Sequence, residues 1–163
     1  LKKDKPQMAK LDLNEVINNV VTLLRHGIVV RGIKLRTQLA DDLPPVLGDV
    51  VQLQQVMVNL LINGADAIRT ADTGMFELTV LSGLDENSDV KVEVRDSGTG
   101  IDPKELDRVF DAFYTTKPDG MGMGLSINQT IITAHCGRLW ARNNEGPGAT
   151  FCFSIPAHSE SEA

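Results

Sequence analysis

The chain has 163 residues, 42% of them hydrophobic, and a formal net charge of −6. This length and apolar content predict one globular domain with its own core. The negative charge and the lack of a dense Lys/Arg patch argue against a nucleic-acid-binding surface, and no apolar run reaches the length of a membrane span. Cys136 and Cys152 lie on different predicted elements without metal-site spacing, which favours reduced core thiols over a disulfide, and the neighbouring His135 is interpreted as a turn residue.

The N-terminal part of the chain predicts a connector, a helix and a strand. Residues 1–10 are Lys-rich and indicate a connector, and residues 11–13 could form a short strand. Asn14 is a plausible N-cap of a helix that ends before Arg31, because apolar residues follow it at helical spacing. Residues 33–39 alternate apolar and polar side chains, which predicts a half-buried strand.

The central predicted helix covers residues 48–69, with Asp49 as its cap. Placed at about 100° per residue, its polar residues fall in one narrow stripe: Gln52, Gln55, Asn59, Asn63 and Asp66. Amide side chains between apolar flanks suit a half-buried pocket, where they can donate hydrogen bonds or ligate a metal. A core helix with one short solvated edge would show the same pattern, and this stretch alone does not decide between the two.

The rest of the chain adds strands and two further helices. The predicted elements are strands at 76–81 and 90–95 around a polar turn, a short helix capped by Asp102, a helix at 125–135, and strands at 138–142 and 149–155. The acidic segment after Pro156 is expected to be disordered. Because helices and strands interleave within one domain, we predict an α/β sandwich with a mixed sheet.

Three motifs carry chemistry. The first motif is Asp96, Gly98 and Gly100, at the end of a predicted strand. The carboxylate can accept hydrogen bonds from an amine-bearing ring, and the glycines let a ligand approach the backbone closely. Asp-Ser-Gly is, however, also a common turn. The series Gly120, Gly122, Gly124 opens a helix and so predicts an anion site, without the Lys-Ser/Thr pair of a Walker A loop. Asn59 and Asn63 are neighbours on one helix face, and an amide oxygen is a hard ligand suited to Mg²⁺.

The order of these motifs resembles the ATP-binding catalytic domain of sensor histidine kinases, within the wider group that includes gyrase, Hsp90 and MutL. The matching segments are an asparagine box at 55–67, glycine boxes at 96–101 and 120–125, a phenylalanine box at 110–117 and a Gly-Thr turn at 146–151. The Thr-Thr-Lys ending of the phenylalanine box is similar to the oxygen-sensor and nitrogen-regulator branch. The resemblance implies the Bergerat ATP-binding fold, an α+β two-layer sandwich whose mixed, mainly antiparallel five-stranded sheet is covered on one face by about three helices.

The resemblance also implies roles for individual residues. Asn63 would ligate a Mg²⁺ that bridges the nucleotide phosphates, and Asp96 would read the adenine amine. Lys117 would neutralise phosphate charge, and Thr150 would lie near the adenine. The segment 111–123 would be a mobile lid, anchored by phenylalanines. The full set of expected nucleotide contacts is Asn59, Asn63, Asp66, Asp96, Gly98, Gly100, Ile101, Phe113, Thr116, Lys117, Gly120, Gly122, Met123, Gly124, Leu125 and Thr150, with Asn59 and Lys117 as the catalytic pair.

Two departures from the family pattern matter. Many relatives carry a basic residue where this chain has Asp66, so phosphate neutralisation would depend more on Lys117. None of the three histidines, His26, His135 and His158, stands in the sequence context of a phosphoacceptor. The acceptor histidine is therefore expected on a separate helical hairpin.

We accordingly expect three parts: 1–10 as a connector from a dimerisation and phosphoacceptor hairpin, 11–156 as the catalytic domain, and 157–163 as a disordered tail. The domain would bind ATP or ADP with Mg²⁺, phosphorylate the hairpin histidine and so supply a response regulator. It is expected to be cytoplasmic and a monomer when isolated, without membrane contacts of its own, whereas the full-length protein would be a dimer that could be membrane-anchored through other segments.

The alternatives are an ATP hydrolase or clamp of the gyrase, Hsp90 or MutL type, an anti-sigma-factor serine kinase, and a degenerate nucleotide-binding module. The hydrolases place a Glu four residues before the metal asparagine as general base, and the serine kinases tend to do so too. Here that position is Asn59, an amide that cannot take a proton at neutral pH. This favours transfer to an external acceptor over hydrolysis.

Overall fold

The computed structural model describes residues 6–71, 74–111 and 124–158. The helices are α1 (Leu13–Val29), α2 (Val50–Thr70) and α3 (Gly124–Ala134), and a 3-10 turn covers Pro103–Glu105. The strands are β1 (Ala9–Leu11), β2 (Lys34–Leu39), β3 (Val46–Gly48), β4 (Glu77–Leu84), β5 (Val90–Asp96), β6 (Arg138–Asn143) and β7 (Ala149–Ile155).

The main sheet has five strands in the order β2-β4-β5-β7-β6. Only the β2–β4 pair is parallel; the other neighbours are antiparallel. On β5 the valines and Asp96 are buried and alternate with more exposed charged residues, so one face of the sheet packs on the helices and the other faces outward. This confirms the predicted two-layer sandwich with a mixed, mainly antiparallel sheet.

The start of α1 differs from the prediction. Asp12, not Asn14, is the N-cap, and its Oδ1 accepts a hydrogen bond from the Asn14 backbone N at 2.8 Å. The Asn14 side chain instead donates to the Ala40 carbonyl at 2.7 Å and accepts from the Ser82 Oγ at 2.7 Å. Asn14 therefore joins α1 to the ends of β2 and β4, a tertiary role that the local sequence does not indicate.

The start of α2 is capped by Asp49, as predicted. Its Oδ1 accepts from the Gln52 backbone N at 3.0 Å and its Oδ2 from the Gln7 backbone N at 2.7 Å. These hydrogen bonds hold the pKa of Asp49 below its usual value, and the one from the Gln52 backbone has the largest effect. The Asp49 backbone N–H donates to Nε2 of the buried His135 at 3.0 Å, and His135 Nδ1 lies 2.8 Å from the Ile131 carbonyl. His135 is thus a buried link between α2 and α3.

Both ends of the described chain belong to the packed domain. Ala9 and Lys10 pair with β3 in a small antiparallel ladder that the sequence did not predict. Ala157 bridges Val46, and the His158 backbone N donates to the Pro45 carbonyl at 2.7 Å. Residues 9–10 and 157–158, which the sequence analysis assigned to the connector and the tail, therefore pack against the domain.

The two cysteines differ. Cys152 is fully buried, and burial raises the pKa of its thiol to about 11. Cys136 is exposed and takes a positive φ of 61° just after α3, so the prediction of a core thiol is wrong for Cys136. Both thiols are free.

Within the described ranges, every helix falls short of the length or the apolar character needed to cross a bilayer.

Candidate functional site

Asp96 ends β5 at the face of the sheet that packs on α2. The residue is 2% exposed, and its Oδ1 accepts hydrogen bonds from the backbone N of Gly98 at 2.9 Å and of Ala149 at 3.2 Å. Burial raises the pKa of this carboxyl, although the two backbone donors oppose that shift. Among the described residues nothing donates to Oδ2, so this atom remains available to accept a hydrogen bond from a ligand.

Two glycines bring the backbone close around Asp96. A Cβ at Gly98 would lie 2.6 Å from the backbone carbon of Ala67 in α2. A Cβ at Gly148, whose φ is +94°, would overlap the Asp96 carbonyl. Both positions therefore require glycine, and the predicted glycine at 98 acts by letting the end of β5 contact α2.

A pair of asparagines that the sequence analysis missed holds the loops of the site. Asn143 exchanges two hydrogen bonds of 2.7 Å with the backbone of Ile101. Asn144 donates to the Asp96 carbonyl at 2.8 Å and to the Pro147 carbonyl at 3.0 Å. The run Asn-Asn-Glu-Gly-Pro-Gly at 143–148 is a turn sequence, which was the available signal. These contacts join the Ile101 backbone to the turn that also holds the Asp96 carbonyl, and Gly100 takes a positive φ of 76°. The predicted nucleotide contacts of Gly100 and Ile101 stay predictions.

Thr150 pairs with Arg95 across the β5–β7 ladder, and directly opposed residues point to the same side of a sheet. Its side chain therefore lies on the Arg95 side of the sheet, and its hydroxyl donates to Asn144 Oδ1 at 2.5 Å. Thr150 contacts Asn144, which in turn donates to the Asp96 carbonyl; the predicted place of Thr150 near an adenine stays a prediction.

Asn59 ties α2 to the start of α3. Its Nδ2 donates to the Gly124 carbonyl at 3.2 Å and to Asn128 Oδ1 at 3.0 Å, while its Oδ1 accepts from Gln55 Nε2 at 2.9 Å. Both ends of the amide are thus engaged by the protein. The arrangement describes a supporting residue, and the predicted catalytic role of Asn59 stays a prediction.

Asn128 is a second residue that the sequence analysis missed. It is fully buried, and its Nδ2 has no hydrogen-bond partner within the described part of the chain. Its position three and four residues before the buried Ile131 and Ile132 places it on the inward face of α3; a polar residue at that spacing was the signal. Leu125, on the same helix, is partly buried against the core.

Asn63 lies one helical turn after Asn59 and is partly exposed. No hydrogen bond involves its side chain among residues 6–71, 74–111 and 124–158, so its amide oxygen is available to a metal ion. Mg²⁺ accepts a single hard oxygen from the protein when phosphate and water complete its shell, and the donor present here fits that requirement.

Asp66 lies three residues further along the same face of α2. Its Oδ1 is 3.5 Å from Nη1 of Arg31, which follows the end of α1; the side chains are 19% and 47% exposed. This ion pair cannot be read from a local sequence pattern, because its partners are 35 residues apart in the chain. Asp66 is therefore paired with a cation and is not simply a polar residue at the rim.

Several predicted contacts lie outside the described residues: Phe113, Thr116, Lys117, Gly120, Gly122 and Met123, together with most of the predicted lid. At the edge of that segment, the ring of Phe110 packs edge-on against Phe151, with centroids 6.1 Å apart at 89°. Phe110 is thus packed against the sheet, and its expected role as an anchor of the lid stays a prediction.

Comparisons with known proteins agree with this geometry. Residues 48–159 match the family described as Histidine kinase-, DNA gyrase B-, and HSP90-like ATPase. The chain is 40% identical over 148 residues to the sensor protein FixL of Bradyrhizobium diazoefficiens, covering 91% of this chain and 29% of FixL. It spans less than a third of the length of the curated relatives it matches.

Two solved structures extend the likeness to three dimensions. The nucleotide-free catalytic domain of histidine kinase ThkA is similar with a TM-score of 0.80 and 32% identity, covering 93% of this chain and 96% of that one. Full-length ShkA in complex with AMPPNP is similar with a TM-score of 0.82 and 25% identity, covering 97% of this chain and 33% of that one.

Proposed function

Because the chain belongs to the histidine kinase-, DNA gyrase B- and HSP90-like ATPase family, we propose that it is the ATP-binding catalytic domain of a sensor histidine kinase. It would bind ATP with Mg²⁺ and transfer the γ-phosphate to a histidine on a separate helical domain. The match to the catalytic domain of ThkA covers 93% of this chain and 96% of that domain, which supports this assignment.

The observation that carries the proposal is the state of Asp96. One carboxylate oxygen is fixed by two backbone N–H groups and the other is available, next to the close contact of Gly98 with Ala67. A buried, oriented carboxylate is an acceptor suited to the exocyclic amine of adenine. Burial makes this hydrogen bond stronger than the same contact in water.

The phosphates would lie towards Asn63 and the start of α3. Bound Mg²⁺ would supply charge neutralisation for the phosphates, with Asn63 as its protein ligand. The N-terminal amides of a helix favour anions, and Gly124 begins α3 beside Asn59. Lys117 would add a positive charge from the lid. The proposed chemistry is positioning and charge neutralisation, as in other phosphoryl transfers.

The Asn59 contacts favour transfer over hydrolysis. An ATPase needs a base to take the proton from water, and an amide cannot do so. The Asn59 Oδ1 is moreover already an acceptor for Gln55. The chain spans less than a third of the length of its curated relatives. We therefore propose the phosphoacceptor hairpin and the response regulator as partners that lie outside this domain.

Calorimetric titration with ATP and ADP, with and without Mg²⁺, tests the proposal. Asp96→Asn should weaken binding by about 10- to 100-fold, the value of a charge-assisted hydrogen bond. Asp41→Asn, an exposed loop substitution, is the matched control and should bind as the wild type does. Asn63→Ala should remove the Mg²⁺ dependence.

Transfer is then measured with labelled ATP after adding a phosphoacceptor hairpin in trans. A folded wild-type domain that binds no adenine nucleotide would contradict the proposal. Rapid release of inorganic phosphate without a hairpin would favour the hydrolase instead.

A further inference from the structure

The ion pair between Arg31 and Asp66 lies beside the proposed nucleotide site. Asp66 shares the face of α2 that carries Asn59 and Asn63, since positions three and four apart are neighbours on a helix. The next residue, Ala67, contacts Gly98. Asp66 therefore stands between the end of the site marked by Asp96 and the end marked by Asn59 and α3.

A nucleotide that extends from Asp96 to Asn59 would pass this carboxylate. Asn59 and Ala67 are eight residues apart on α2, which corresponds to about 12 Å along the helix. An unpaired Asp66 within that span would repel the phosphates. The Arg31 guanidinium, 3.5 Å from Asp66, offsets the negative charge.

Arg31 can do more than cancel a charge. Its side chain is 47% exposed, so the guanidinium is not enclosed by the ion pair. A guanidinium carries five N–H donors in a planar fork that suits phosphate oxygens. Because Asp66 is paired with Nη1 of Arg31, the other N–H groups of the guanidinium can bind a second anion.

We propose that Arg31 is a phosphate-binding residue of the nucleotide site, held in place by Asp66. The ligand class is a nucleoside di- or triphosphate, so the inference rests on the proposed function and deepens it. Arg31 supplies its positive charge from the turn that follows α1, next to Asp66 on α2. Asp66 acts as the positioning residue of the pair.

The test compares ligands that share the adenine but differ in phosphates. Calorimetry gives the Kd of ATP, ADP and adenosine for the wild type, Arg31→Ala, Asp66→Asn and the double variant. Arg31→Ala should weaken ATP and ADP binding by about 10-fold or more and leave adenosine binding unchanged. The double variant should recover part of the loss, because it also removes the negative charge of Asp66 from the neighbourhood of the phosphates. Arg31→Lys should retain part of the affinity as a point charge.

Arg138→Ala is the matched control. It removes the same charge from an exposed position at the start of β6 and should leave the ratio of the adenosine Kd to the ATP Kd unchanged. Thermal unfolding of all variants, without ligand, separates binding from stability.

An Arg31→Ala variant with the wild-type ratio would overturn the inference, because the pair would then only join α1 to α2. In that case the proposed function would stand, since the wild type would still bind ATP. A wild type that binds neither ATP nor ADP would overturn both.

Discussion

Gly98→Ala should damage the fold and the site together. The added Cβ would lie 2.6 Å from the backbone carbon of Ala67 and 2.7 Å from its oxygen, where 3.4–4 Å is ordinary contact. These atoms belong to the backbone of α2, which cannot rotate aside as a side chain does. Overpacking of this kind costs about 1–3 kcal/mol, so we expect the free energy of unfolding to fall by that amount.

The same displacement should weaken ligand binding. The Gly98 backbone N donates to Asp96 Oδ1, so moving the end of β5 away from α2 changes the orientation of the carboxylate. Urea denaturation gives the loss of stability, and calorimetry with ADP gives the loss of affinity. We expect both to fall in the same variant.

Two other glycines provide a graded comparison. At Gly64 the added Cβ would lie 2.7 Å from Cδ1 of the buried Leu78 and 3.5 Å from the Asp96 Cβ. Because a side chain can shift and alanine gains up to about 1 kcal/mol in a helix interior, Gly64→Ala should cost less stability than Gly98→Ala. Gly83 has no heavy atom within 4 Å of the added Cβ, so Gly83→Ala should leave affinity unchanged. If Gly98→Ala matched these two in stability and affinity, the close contact would not be needed for either.

Three further predictions concern titratable groups. Burial raises the pKa of Asp96, so this carboxyl binds its proton more tightly in the folded state than in the unfolded state. As pH falls from the raised pKa towards the ordinary value, the free energy of unfolding should therefore increase while the affinity for ADP decreases. Asp96→Asn should lose both effects, as measured by denaturation and calorimetry at a series of pH values. His135→Ala removes the acceptor of the Asp49 N–H and should lower the free energy of unfolding, measured in urea, by about 1–3 kcal/mol. His26→Ala, at an exposed position, should change it little. Equal losses in the two variants would contradict a linking role for His135. A thiol reagent at pH 8 should modify the exposed Cys136 in the folded domain. The buried Cys152, whose pKa is raised to about 11, should react only when the domain unfolds. Mass spectrometry that found Cys152 modified first would refute this.

The sequence was sufficient where local patterns decide structure. The apolar period of α2 and its Asp49 cap are local, and the helix was found with its cap. The alternation along β5 reflects one buried and one exposed face, so that strand and its terminal Asp96 were also found. The motif order then identified the family, because it reports the arrangement of a whole site rather than one element.

Three features that the sequence could not indicate depend on a partner distant in the chain. All seven residues of β7 are buried, so no alternation indicates which way Thr150 points; only its register with Arg95 does. The capping position of α1 was misread because Asn14 bonds to β2 and β4 instead. The ladder between β1 and β3 is too short for a pattern, with three residues on each side.

The proposed site concentrates features that cost stability. Asp96 is a buried carboxylate, and burial of a charge is unfavourable. At the contact of α2 with α3, Asn128 Nδ2 is buried without a hydrogen-bond partner among the described residues, and such an atom costs about 1–3 kcal/mol. An apolar contact between these helices would be more stable. The polar residues instead hold Asn59 against the start of α3, where the proposed phosphates would bind. Because local rules tend to be broken at functional positions, this distribution of unfavourable terms is itself an argument that ligand binding, rather than packing, determines these residues.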